Sequence, residues 1–92
     1  MLVSRDTLLG IYGCKCMLCK GEYPEAELQK HHIIPKYEYK RRGEPVDNTI
    51  SNLSLLCSKC HKKVHQFDCR SSEYIIFTIS ILEAKVEWTK EA

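Results

Sequence analysis

"HHIIPKYEYKRRGEPVDNTISNLSLLCSKCHKKVH", residues 31–65, holds all four histidines of the chain and two of its six cysteines. The run "ELQKHHII" (27–34) alternates enough to be a strand, and Pro35 ends it because proline brings no N–H to a ladder. From Lys36 to Ser51 no period is sustained and Gly43 and Pro45 interrupt, so a long loop is expected there. "NLSLLC" (52–57) reads as a second short strand, and "SKCHKKVHQF" (58–67) has the length and composition of a helix. The expected order is strand, loop, strand, helix.

That order sorts the histidines. His61 and His65 are four apart on the expected helix, on one face about one turn apart, so two imidazoles can reach one ion. His31 and His32 are neighbours in a strand and point to opposite faces. One of that pair can join a metal while the other acts as a base.

Working outward, Cys57-x-x-Cys60 has a counterpart in Cys16-x-x-Cys19, within the glycine-assisted knuckle "CKCMLCKGEY". Each pair can present two sulfurs from one turn to a tetrahedral ion, and two such knuckles together make a closed four-thiolate zinc site, structural because it is saturated. Cys14 could replace Cys16 only at a looser spacing, and Cys69 reads as a small core residue. A staple is expected in any case: at 92 residues one hydrophobic core is only marginally self-sufficient.

Two helices flank this region. Ser4 or Asp6 can cap "RDTLLGIY" (5–12), which Gly13 ends, with Leu8, Leu9 and either Ile11 or Tyr12 facing a core. The tail from Ser72 to Lys90 contains the β-branched "IIFTISI", yet Ile75, Ile79, Leu82 and Val86 recur at helical spacing, and a helix is expected. The organisation is a single α+β domain over 1–92, with a core at about 14–67, an N-terminal helix at about 4–12 and a C-terminal extension at about 70–92.

Composition excludes several classes. No apolar run is long enough for a membrane span. The start, "MLVSRDTLLGIYG", lacks an apolar signal core, which points to the cytoplasm, where thiols stay reduced and serve metals rather than disulfides. Formal net charge is only +2, and four thiolates with one Zn²⁺ together contribute −2 and cancel it. Affinity for a polyanion must then be local. Lys30, Lys36, Lys40, Arg41 and Arg42 stand within thirteen residues against one acid, Glu38, while Lys59, Lys62 and Lys63 surround the second cysteine pair. Both clusters flank the histidines, which favours a nucleic-acid partner over a merely solvated face.

Over residues 14–67, the succession C-x-x-C, "HHIIP", "NL" and "LCSKCHKKVH" resembles the HNH, or ββα-metal, endonucleases, in particular a zinc-ribbon branch in which two cysteine pairs brace a hairpin and helix. The resemblance implies that His32 is the general base and that Asn52, the middle asparagine of the motif, orients it through hydrogen bonds. It implies a catalytic divalent metal on His31, His61 and His65, although position 31 is often aspartate in the family. It also implies DNA as substrate, in a monomer or homodimer.

The chemistry of the residues agrees with the resemblance. Phosphodiester hydrolysis needs a deprotonated water, a cation on the phosphate oxygens and a route for the leaving oxygen. Histidine ordinarily titrates at roughly pH 6.5, so neutral imidazole is available as a base. Three imidazoles suit manganese, nickel, cobalt or zinc better than magnesium. Lys36, Lys40, Arg41, Arg42, Lys62 and Lys63 can hold the DNA backbone without sequence preference. The alternative is a non-catalytic zinc-ribbon module that binds nucleic acid, which leaves Asn52 and the paired histidines without a purpose.

Overall fold

The computed structural model describes residues 3–89. Six principal elements follow the chain: α1 (Arg5–Tyr12), β1 (Leu28–His32), α2 (Lys36–Arg42), β2 (Leu53–Cys57), α3 (Ser58–His65) and α4 (Ser72–Thr89), with 3-10 turns at Glu25–Glu27 and Ile50–Asn52. This is a small α+β architecture around one two-stranded antiparallel sheet.

Strand β2 is the centre. All five of its residues, "LSLLC", are buried, because α1 and α3 both pack against it. An apolar strand covered on both faces does not need to alternate. Its register with β1 pairs Leu28 with Cys57, His31 with Ser54 and His32 with Leu53. The buried Ser54 hydroxyl donates to the His31 carbonyl at 3.2 Å, satisfying a polar group inside the core.

Helix α1 forms where its caps require. The Ser4 Oγ accepts the Thr7 N–H, and Gly13 takes φ 82° just past the end while its N–H reaches the Leu9 carbonyl at 2.8 Å. Left-handed backbone at that point suits glycine. Of the two alternatives for the inner face, Tyr12 is buried with Leu8 and Leu9, and Ile11 is exposed. In the knuckle that follows, the positive φ falls on Lys20, at 66°. Gly21 contributes space instead, since a Cβ there would come within 3.1 Å of the Tyr23 ring.

The expected long loop from Lys36 to Ser51 is corrected, because its first seven residues are helix α2. Two turns are too short to show a period, and the helix is made by anchors at its ends and one buried carboxylate. Pro35 leads in with extended backbone, and Gly43 closes it in the left-handed conformation at φ 71°. Glu38, only 2 % exposed, accepts from Arg42 Nε at 2.9 Å and Arg70 at 3.2 Å, and pairs with Arg41 at 3.3 Å. Burial alone would raise its pKa, but the hydrogen bonds from Arg42 and Arg70 and the charges of Arg70 and Arg41 outweigh it and hold the carboxyl below its ordinary value.

The tail is helical as expected, over Ser72–Thr89; Lys90 lies outside the described residues. Its inner face is not the stripe that revealed it. Tyr74, Ile81, Ala84 and Lys85 are buried, whereas Ile75, Ile79, Leu82 and Val86 are exposed. Polar contacts join α4 to the rest, among them Lys20 Nζ to the Ser80 carbonyl at 2.9 Å, Lys85 Nζ to the carbonyls of Ile50 and Leu53 at 2.5 and 2.8 Å, and the Tyr74 hydroxyl to the Ile33 carbonyl at 2.7 Å. Burial lowers the Lys85 pKa, yet two carbonyls still meet its protons. No helix among the described residues is long and apolar enough to cross a membrane.

Candidate active site

Helix α3 contributes side chains to two separate clusters, each able to hold a metal ion. Its N-cap, Cys57, and Cys60 one turn later meet Cys16 and Cys19 of the knuckle, with all four sulfurs within 4.8 Å of one another. The backbone around them is arranged for thiolate. The N–H groups of Leu18 and Cys19 point at the Cys16 sulfur at 3.4 and 3.5 Å, and the Tyr23 hydroxyl lies 3.1 Å from the Cys19 sulfur. Burial raises the Cys16 thiol. It would raise Cys19 too, but hydrogen bonds from Tyr23 and the Gly21 N–H prevail and bring that thiol down to about 7. Four sulfurs at this separation fit a tetrahedral structural zinc, whose charge would deprotonate the whole set. Cys14 is exposed and outside the cluster, and Cys69 is partly buried, its thiol 3.7 Å from Glu38.

The next residue on α3, His61, points the other way. With His65 one turn on and His31 from β1, it forms a second cluster in which one nitrogen from each ring lies within 4.8 Å of the others. His61 and His65 meet edge to face at a centroid distance of 4.3 Å, and His31 lies 5.4 Å from His61. Burial, followed by the proximity of the other histidines, pushes the His31 pKa down to about 3, and burial with His65 nearby lowers that of His61. Neutral imidazoles with free lone pairs are what a metal requires. The fit has a second mark: His31 Nδ1 is buried with no hydrogen-bond partner among the described residues. Leaving such an atom unmet costs about 1–3 kcal/mol, and a cation at the cluster would meet it.

His32, on the opposite side of β1, also lines the cavity. That cavity, of about 340 Å³, is bounded by all four histidines together with Lys30, Pro35, Lys36, Tyr37, Phe67 and Tyr74. His32 Nε2 is 2.8 Å from Asn48 Oδ1. An amide oxygen only accepts, so Nε2 carries the proton and Nδ1 keeps its lone pair.

Asn52 makes its hydrogen bonds to backbone groups. Its Oδ1 accepts the Ile34 N–H at 2.8 Å, and its Nδ2 donates to the carbonyls of Asp47 and Ile34. It is 4 % exposed and makes no hydrogen bond to His32 among the described contacts. Instead it fastens the loop residue just before Asn48 to the end of β1. Asn48 itself was missed in the sequence, where a single asparagine inside "VDNT" carries no mark beyond turn propensity.

The basic residues divide. Lys36 borders the cavity, and Lys40 and Lys62 are exposed. Lys63 lies over the Phe77 ring at 5.6 Å. Arg41 and Arg42 are drawn toward Glu38, and Arg41 also reaches Asp68 at 3.5 Å, so their charges are partly met within the fold.

A cysteine knuckle, a strand ending in two histidines, a second strand and a helix with His61 and His65 define a zinc-braced ββα-metal domain. The HNH endonuclease family profile matches residues 16–67, more than half of the chain, and the protein belongs to that family. It is 35% identical over 78 aligned residues to a mutS homologue of Acanthamoeba polyphaga mimivirus named as a DNA mismatch repair protein. The alignment takes in 74% of this chain but 7% of the relative, so the chain is similar to a small part of that protein. No solved structure matches the chain at the same stringency.

Proposed function

We propose that the protein is a metal-dependent endonuclease that hydrolyses phosphodiester bonds in DNA. The observation that carries this is the convergence of all four histidines on one cavity with two lysines at its edge. His31, His61 and His65 would hold one divalent cation there, supplying charge to the phosphate oxygens and the leaving oxygen.

The chain's own residues do the rest. Asn48 Oδ1 accepts a hydrogen bond from the Nε2–H of His32, so Nδ1 is the atom that receives a proton from the attacking water. Asn52 holds Asp47 and Ile34 together, which keeps Asn48 opposite His32. Lys36, Lys40, Lys62 and Lys63 bind the backbone on either side, with Arg41 and Arg42 contributing what charge Glu38 leaves them. DNA is favoured as substrate because a similar segment lies in a protein named for DNA mismatch repair. Imidazole ligands favour manganese, nickel or cobalt over magnesium, and excess zinc is expected to inhibit by filling its shell.

The test is plasmid nicking with added divalent metal, comparing wild type with His32→Ala. The variant should retain its structural zinc and its salt-dependent DNA binding while losing about 10²–10⁴-fold in rate. DNA binding by wild type with no cleavage under any divalent metal would instead establish a zinc-braced binding module.

A further inference from the structure

A metal ligand needs its lone pair on the correct ring nitrogen, and in free imidazole the proton can sit on either. Two residues outside the cluster decide the matter. Gln29 precedes His31 by two positions on β1 and so shares its face, toward α3; its Oε1 lies 2.5 Å from His61 Nδ1. An amide oxygen cannot donate, so Nδ1 of His61 carries the proton and Nε2 is left free. Tyr74 acts on His31 from α4, beyond the residues that match the family profile. Its hydroxyl proton is committed to the Ile33 carbonyl at 2.7 Å, so its oxygen can only accept from His31 Nε2, 3.4 Å away. The lone pair of His31 is thereby assigned to Nδ1, the buried nitrogen with no partner.

We infer that Gln29 and Tyr74 are positioning residues that set the tautomers of His61 and His31, and through them the affinity of the three-histidine cluster for a divalent cation. The inference rests on the reading of that cluster as a metal site. It gives α4 a part in the site as well as in the core. Hydrogen bonds of this kind from outside the ligand set both orient the ring and raise its basicity, and their removal typically weakens metal binding about 10–100-fold.

The experiment uses the full, zinc-loaded chain and has two readouts independent of cleavage. Titration with Co²⁺, followed by visible absorption and calorimetry, should show one further ion per chain in wild type. Gln29→Ala and Tyr74→Phe should each bind it about 10–100-fold more weakly with the structural zinc content unchanged; Tyr74→Phe should also lower the melting temperature, because the Ile33 carbonyl loses its donor, whereas Gln29→Ala, at an exposed position, should not. Gln29→Glu, which restores an acceptor, should recover the affinity. Long-range ¹H–¹⁵N spectra of the imidazoles before Co²⁺ is added should show Nδ1–H at His61 and Nε2–H at His31 in wild type, with a mixture at His61 in Gln29→Ala and at His31 in Tyr74→Phe. If wild type takes up Co²⁺ and both variants match it in affinity and tautomer, the positioning role is wrong while the metal site stands. If wild type takes up no ion beyond the structural zinc, the metal site itself is wrong and this inference falls with it.

Discussion

Cys60 and His61 are adjacent on α3, yet they serve clusters of opposite character. The cysteine cluster has four sulfurs, two of them buried, backbone N–H groups aimed at Cys16 and no vacant ligand position once zinc is bound. The histidine cluster has three nitrogens, opens on a cavity of about 340 Å³ and leaves an unpartnered nitrogen inside. One helix thus separates a site that closes on its metal from a site that leaves room beside it. Under the proposed function, stability belongs to the first and reactivity to the second, because a saturated ion cannot bind substrate whereas an open one can.

The largest expected effect breaks the closed side. Cys57→Ser should unfold or aggregate the protein and abolish its tightly held zinc, because apparent binding free energies of structural zinc, roughly 10–16 kcal/mol, are as large as the whole stability of a domain of this kind, about 5–15 kcal/mol. Cys14→Ser, outside the cluster, should fold normally. Circular dichroism with metal analysis checks both, and a folded, fully zinc-loaded Cys57→Ser protein would overturn the four-cysteine assignment.

On the open side the same kind of change should leave the fold intact. Asn48→Ala should lower nicking about tenfold, less than removal of the general base itself, with an unchanged melting temperature. Asn52→Ala should lower both activity and melting temperature, because its amide joins the β1 end to the loop and its loss leaves buried backbone groups unpaired. Equal activity loss with no change in melting temperature for the two variants would show that Asn52 acts on the base as directly as Asn48 does.

A subtler change keeps the open site and alters its chemistry. His31→Asp adds a hard, charged oxygen and should move the preferred metal from manganese, nickel or cobalt toward magnesium. Metal titration of plasmid nicking on both proteins at fixed salt reads it. If magnesium is already best for wild type and the substitution changes nothing, His31 is not a ligand.

The smallest effect concerns the wall of the open site, which has no equivalent at the cysteines. Glu38→Gln should loosen α2 and with it Pro35, Lys36 and Tyr37 at the cavity. The Glu38 carboxyl is held below its ordinary pKa. Its contribution is therefore present above the unfolded value of about 4.3 and lost as pH falls through the folded one. Denaturant midpoints should be lower for the variant at pH 7 and should converge with wild type under acid conditions; a constant gap at all pH values would mean that the carboxylate charge is not what holds the helix.

The sequence by itself picked out the cysteines and histidines that cluster, the order of strands and α3, and the presence of a terminal helix. These depend on covalent spacing. Two sulfurs separated by two residues share a turn, and His61 and His65 share a face, whatever surrounds them. Only the tertiary structure decided that α2 is a helix, because its anchor is Glu38 meeting Arg70, 32 residues away. It also decided which side of α4 is buried: the apolar residues around that helix were legible, but the one that packs inward is set by α1, the knuckle and β2. Likewise the partner of His32 is Asn48 and not Asn52, because a hydrogen bond across 16 residues follows the path of a loop, and no local pattern in the chain encodes that path.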